Sequence, residues 1–162
     1  MRQARILIAA LAVCLPLWGA TEASGTEPGG DCAIDCMGPD RQPIIFWRIL
    51  QEDRQAVAAL LDAGYDIERE GGFGMTPLIQ AAMIDDWITA ELLLSRGADP
   101  WAADRRGFTT AHRAATSRVD AGSVYGQALM GVRAVLERGG VEPFAPAMVK
   151  AMRAAGKWPP MR

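Results

Sequence analysis

Residues 74–104 read GMTPLIQAAMIDDWITAELLLSRGADPWAAD, and this stretch decides the fold. Thr76 is an N-cap residue type and Pro77 needs no N–H donor at the first helical position, so together they predict the start of a helix. A second helix is predicted over residues 87–96, and Gly97 is suited to end it in the left-handed conformation. The residues predicted to face inward at helical spacing are Leu78, Ala81 and Ala82, then Ile88, Ala90, Leu92 and Leu93.

The pattern recurs along the chain at a spacing of 33 residues. The later copies of Gly74, Thr76, Ile79, Ala81 and Ala82 are Gly107, Thr109, His112, Ala114 and Ala115. Gly64 and Asp66 precede Gly97 and Asp99 by the same interval. Two helices of about ten residues cannot close a core alone, whereas stacked copies of such a pair can.

A period of this size around a T-P-L core resembles the ankyrin repeat. The resemblance covers residues 43–140, and it implies an all-α solenoid of helix-turn-helix units with short β-hairpin-like fingers. The first repeat matches in its second helix only, and the third has Thr110 and Ala111 where the pattern has Pro and Leu. We therefore predict repeats over residues 41–140 and a C-terminal capping helix with its tail over residues 141–162.

The third repeat carries an insertion. Gly97 and Gly139 are 42 residues apart, nine more than the period, and the extra residues fall within 116–127. Gly122 and Gly126 predict a loop there. Insertions in repeat arrays often carry binding contacts, and a tolerated surface insertion is the other interpretation.

The N-terminal segment predicts export. A basic start (MRQAR) precedes an apolar run at residues 6–17 and a small-residue cleavage site, TEA, at residues 21–23. This order is that of a secretory signal peptide, whereas a membrane anchor needs about 20 apolar residues. We predict removal of residues 1–23 and a periplasmic or secreted protein whose mature chain begins at residues 24–26.

The three cysteines agree with export. Cys14 leaves with the signal, unless LAVC acts as a lipobox, for which Val before the cysteine is a poor fit. Cys32 and Cys36 then remain as a pair in an oxidising compartment. Residues 24–40 are accordingly predicted to be a linker and N-terminal cap closed by a disulfide. A metal site is the alternative, but with His112 as the single histidine it has too few ligands.

The sequence shows no pattern that carries catalysis. No Ser lies in a nucleophile elbow, no Gly-rich loop follows a strand and no two His share a helix face. The Asp85-Asp86 pair is explained by a helix start, and His112 takes the place of the structural His of ankyrin repeats. We predict no enzyme activity, cofactor or metal. A formal charge of −2 without a basic cluster argues against nucleic acid as a partner.

The resemblance implies that the chain binds another protein through its finger tips and the inner face of its first helices. The residues at those positions are Phe73, Met75, Met83, Ile84, Arg105, Arg106 and Phe108, with Thr116 and Ser117 at further ones. They predict an apolar patch flanked by two arginines, which are frequent in binding hot spots. Alternatively, Phe73 and Phe108 only cover the fingers. We expect a monomer without membrane insertion in its mature form.

Two classes of binding function fit this sequence. One is an exported inhibitor or immunity-type protein that blocks a toxic or degradative partner. The other is a periplasmic accessory or stress-protection factor that supports another enzyme. A third, weaker possibility is an effector released to a host cell. The sequence does not decide between them.

Overall fold

The computed structural model describes residues 36–160, which contain seven α-helices. They are α1 (Ile44–Leu50), α2 (Arg54–Asp62), α3 (Pro77–Met83), α4 (Trp87–Ser95), α5 (Thr110–Thr116), α6 (Val124–Arg138) and α7 (Pro146–Ala154). Within this range there is no strand, and none of the helices is long and apolar enough to cross a membrane. The predicted all-α class is confirmed. The predicted signal peptide and Cys32 lie outside the described residues, so both stay predictions.

The helices begin where the polar caps of the sequence place them. Thr76 accepts a hydrogen bond at Oγ1 from the backbone N–H of Ile79 (3.4 Å), and Thr109 caps α5 in the same way. Asp53 and Asp86 cap α2 and α4 through their Oδ1 atoms. Each cap satisfies an N–H group that the first helical turn leaves without a partner. A threonine therefore caps α3 and α5, and an aspartate caps α2 and α4.

The helices pack as consecutive pairs. α1 lies against α2, α3 against α4 and α5 against α6, while contacts α1–α3, α3–α5 and α4–α6 join neighbouring pairs. Leu78 and Leu93 are fully buried in the resulting core. Each helix pair therefore contacts the next pair through at least one of its helices.

The inner face of α4 differs in part from the prediction. Ala90 and Leu93 are buried as expected, but Ile88 and Leu92 remain partly exposed. Trp87 and Thr89 are fully buried instead. The physical reason is that α4 packs against both α3 and α6, so more than one of its faces is covered.

The fingers are tight turns without a β-ladder. We define finger 1 as residues 66–75 and finger 2 as residues 99–108. In finger 2 the extended pairing is limited to one isolated bridge, Ala103 with Thr109. Finger 1 closes by a hydrogen bond from the N–H of Gly71 to the carbonyl of Met75 (2.8 Å). The predicted hairpin-like shape is thus reduced to local turns.

The insertion that the sequence predicts within residues 116–127 is only partly a loop. Residues 117–123 form the loop, and α6 then has 15 residues against nine in α4. The expectation that Gly126 marks a loop is wrong, since this residue is buried inside α6. A Cβ at Gly126 would lie 2.1 Å from the carbonyl oxygen of Asp120. The glycine therefore serves close packing of the loop on the helix start.

A helix lies where the C-terminal capping helix is predicted, and it contacts finger 2. Arg153 of α7 donates from Nη1 to the carbonyl oxygens of Ala103 and Asp104, both at 2.9 Å. In the segment that follows α7, the indole ring of Trp158 packs on Trp101 with ring centroids 5.8 Å apart. The segment after α6 is thereby held by finger 2.

The two fingers are joined by Glu68. Its Oε1 accepts a hydrogen bond from the backbone N–H of Asp99 at 2.7 Å. Burial raises the pKa of Glu68, and the carboxylates of Asp99 and Asp66 add to the rise, although the hydrogen bond from Asp99 opposes it. The ionised side chain therefore carries a small electrostatic penalty in the folded chain.

Glu68→Gln is expected to stabilise the fold slightly at neutral pH, because glutamine keeps the acceptor for Asp99 and removes the charge. The folded chain holds the proton of Glu68 more tightly than the unfolded chain. This group's contribution therefore favours folding below its unfolded pKa and is lost as the pH rises through its folded pKa. Urea midpoints of both proteins at pH 7 and at about pH 4 should show the gap closing on acidification. A gap that widens at acidic pH contradicts this assignment, and Glu70→Gln on the same finger is the control.

Candidate protein-binding surface

The tips of the two fingers bring five of the predicted binding residues together. We call this set the tip patch; its members are Phe73, Met75, Arg105, Arg106 and Phe108. Phe73 lies at the turn of finger 1 with 62% of its surface exposed and a left-handed backbone (φ 58°). A non-glycine residue rarely adopts this conformation, and its place here directs the ring away from the core.

Arg106 holds the two aromatic rings of the tip patch. Its guanidinium carbon lies 4.8 Å from the ring centroid of Phe73 and 5.3 Å from that of Phe108. Its Nε donates to Oδ2 of Asp104 at 2.8 Å, and its Nη2 lies 3.6 Å from the sulfur of Met75. Much of the charge of Arg106 is therefore matched within the chain. Its main role is to fix Phe73 and Phe108 in place.

Asp104 organises finger 2, a role that is not among those predicted from the sequence. Its carboxylate is fully buried and accepts backbone hydrogen bonds from Arg106 (2.9 Å) and Phe108 (2.8 Å) at Oδ1. Aspartate commonly bonds backbone N–H groups a few residues later in a turn. The run Asp-Arg-Arg-Gly at residues 104–107 is a sequence that indicates such a turn.

Arg105 is the exposed cation of the tip patch. Its backbone N–H donates to the carbonyl of Phe73 at 2.9 Å, which ties the tip of finger 2 to that of finger 1. Its side chain crosses Gly74, because a Cβ there would lie 3.2 Å from Cγ of Arg105. Arg105 thus lies beside the exposed ring of Phe73, where it can contact a partner.

Met83 and Ile84 lie at the other end of α3, away from the fingers. The carbonyl of Met83 accepts a hydrogen bond from Nη2 of Arg113 (3.4 Å). Ile84 is 39% exposed and lines a pocket with Val119 and Tyr125 of the insertion. The seven predicted residues therefore divide between two ends of the helix pairs, because α3 separates Met75 from Met83.

His112 lies beside the tip patch. Its ring centroid is 5.9 Å from that of Phe108, and its backbone N–H donates to the cap Thr109. Both contacts support the finger and the helix start. They are consistent with the structural role that is predicted for His112.

The finger tip, the capped helix pair and the next finger follow one another within a single period. An ankyrin repeat lies at residues 73–105. This span runs from Phe73 through α3 and α4 to Arg105, and it is the copy in which the sequence pattern is most complete. Ankyrin repeats are typically interaction domains, so the match indicates a module that binds other proteins. No curated protein matches the chain.

Proposed function

We propose that this chain is an exported, non-catalytic module that binds another protein through the tip patch. In this proposal α1–α2, α3–α4 and α5–α6 are three stacked repeats of one solenoid, and α7 is its C-terminal cap. The ankyrin repeat at residues 73–105 supports the binding function. The order of helix contacts supports the stack.

The observation that carries the proposal is the exposure of a fixed aromatic ring. Phe73 keeps 62% of its surface in solvent although Arg106 already stacks on it. An aromatic side chain that is held in one place loses little conformational freedom on binding. Aromatic residues and arginine are also the types most enriched at hot spots, and Arg105 stands beside the ring.

The cellular setting follows from the sequence. A basic start, an apolar run and a small-residue site support removal of residues 1–23 and a periplasmic location. In that compartment Cys32 and Cys36 would form a disulfide that closes the N-terminal cap. A small exported binder with an aromatic tip is suited to block one toxic or degradative partner, so we favour the inhibitor or immunity-type role.

Phe73→Ala combined with Arg105→Glu is expected to lower affinity for the partner about a thousandfold, since each hot-spot residue is worth about 2 kcal/mol or more. The fold should survive, because Phe73 contributes only one exposed cation–π contact, worth about 0.5–1 kcal/mol. A partner captured by the mature chain from the envelope fraction would be identified, purified and titrated by calorimetry.

The matched control for this pair is Met130→Ala with Arg118→Glu. It removes another exposed apolar side chain (52% exposed) and reverses another exposed arginine, both away from the fingers. This control should bind as tightly as the unchanged chain. Equal affinities for the tip-patch variant and the control would reject the tip patch as the binding surface.

A further inference from the structure

A second concave site lies at the ends of the helices that are remote from the fingers. Its cavity has a volume of about 260 Å³, and we call it the loop pocket. The residues that line it are Glu52, Ile84, Asp85, Asp86, Val119 and Tyr125. The first four come from the turns that join α1 to α2 and α3 to α4. The last two come from the insertion of the third repeat.

Half of the residues that line the loop pocket are apolar or aromatic. Ile84 stands 39% exposed at the end of α3, and Val119 and Tyr125 are partly buried opposite the turns. Tyr125 is held by its hydroxyl, which donates to Oε2 of Glu52 and accepts from Nη2 of Arg54 at 3.1 Å. The insertion therefore folds back across the earlier turns. Without it, two walls of the pocket would be missing.

The carboxylates around the pocket differ in exposure and in how many hydrogen bonds they already accept. Asp86 is buried, and it accepts from the N–H and hydroxyl of Thr89 and from Arg54, so a donor that enters from solvent does not reach it. Glu52 is 53% exposed and engages its Oε2 with Tyr125 and Arg54. The lining residues include three carboxylates, and the salt bridges of Arg54 and Arg113 offset part of their negative charge.

Asp85 has one oxygen left for a further donor. Its Oδ1 accepts from Nε1 of Trp87 (3.1 Å) and from the hydroxyl of Ser117 (2.8 Å). Its Oδ2 forms a salt bridge with Nη2 of Arg113 at 3.9 Å, a distance too long for a hydrogen bond, so this oxygen can still accept one. The carboxylate is 37% exposed, so a donor that enters from solvent can reach it.

We propose that the loop pocket receives a lysine side chain of a protein partner. The methylene stem lies against Ile84 and Val119, and the ammonium group donates to Oδ2 of Asp85 and to the second oxygen of Glu52. A lysine side chain combines an apolar stem with a charged head, which matches a pocket lined by both apolar side chains and carboxylates. This site is separate from the tip patch and does not depend on it.

Lysine fits better than arginine for a geometric reason. A guanidinium group binds best when both oxygens of one carboxylate face its planar fork. Here Asp85 and Glu52 each have one oxygen already engaged. The two remaining acceptor oxygens belong to different side chains, which suits the three rotatable donors of an ammonium group better than a planar fork.

The test uses the mature chain with methyl-labelled isoleucine and valine in NMR titrations. The probes are the capped tripeptides Ala-Lys-Ala, Ala-Arg-Ala and Ala-norleucine-Ala, at low salt. The lysine peptide is expected to shift the Ile84 and Val119 methyl signals in a saturable way. The norleucine peptide, which keeps the stem and lacks the charge, should shift neither, and the arginine peptide should bind more weakly.

Asp85→Asn is the decisive variant, because its amide oxygen can still accept from Trp87 and Ser117. It should weaken the lysine peptide about fivefold, the value of one partly exposed ion pair. Glu52→Gln provides a second variant if the first one perturbs the fold. Asp120→Asn, at an exposed position of the same insertion, should change nothing.

Three outcomes would overturn the proposal. They are the absence of saturable shifts with the lysine peptide, equal shifts with the norleucine peptide, and unchanged binding by both carboxylate variants. A calcium chloride titration that moves the same methyl signals, while the lysine peptide does not, would assign the pocket to a metal ion instead.

Discussion

Leu93→Ala is expected to lower the free energy of unfolding by about 2–5 kcal/mol. Leu93 is fully buried in α4, which packs against α3 within its own pair and against α6 of the next pair. Helices held from two sides cannot move inward to fill the space left by the side chain. The cavity therefore persists, and the loss exceeds the transfer free energy of the removed atoms.

The effect of Leu93→Ala should also reach the whole array. In a stack of a few helix pairs each pair is stabilised by its neighbours, so weakening the central one lowers the stability of the rest. Urea unfolding followed by circular dichroism and by tryptophan fluorescence should give coincident transitions at a lower midpoint. Leu50→Ala makes the same change at a residue that is 44% exposed, and it should have a small effect. Equal midpoints for the two variants would contradict the stacked core.

The helix starts could be predicted because their determinants are local. A threonine or aspartate side chain satisfies an N–H group two or three residues later, and the spacing of both is visible in the sequence. Thr76, Asp86 and Thr109 all cap helices as their positions indicate. The 33-residue period then predicts a cap at the same position of the next helix pair.

The roles of other residues depended on contacts between distant segments. Arg106 looked like a binding cation, but Phe73, 33 positions earlier, and the buried Asp104 engage it within the chain. The resemblance predicts that Ile84 lies on the same binding face as the finger residues, yet α3 places it at the loop pocket. Gly126 has a loop-forming residue type, but its function is to let Asp120 approach a helix. The order of residues along the chain does not show which distant segments come into contact in the fold.

The sequence also does not show that the seven predicted binding residues divide between two separate sites. The sequence identified which positions are not needed for stacking, and five of those seven meet at the tip patch. It did not show that the insertion closes a second cavity, because Tyr125 contacts Glu52 in the turn between α1 and α2 across 73 residues of chain. Export and the pairing of Cys32 with Cys36 stay predictions.

Gly107→Ala is expected to destabilise the chain by about 2–4 kcal/mol, which is the sum of two separate effects. The first is conformational, since Gly107 has a φ of +87° and a side chain at that angle is strained. The second is steric, since a Cβ at Gly107 would lie 2.2 Å from the carbonyl oxygen of Pro146 at the start of α7. Backbone atoms cannot rotate away as a flexible side chain can, so α7 must shift.

Gly97→Ala separates these two effects, because it shares the first and lacks the second. Gly97 has a φ of +91°, and nothing lies within 4 Å of the position its Cβ would take. Its substitution should therefore cost about 1–2 kcal/mol, the conformational part alone. Urea unfolding gives both differences, and hydrogen exchange of the α7 amides should rise in Gly107→Ala and stay unchanged in Gly97→Ala. If the two variants were equally stable and equally protected in α7, the close contact between finger 2 and α7 would not exist in solution.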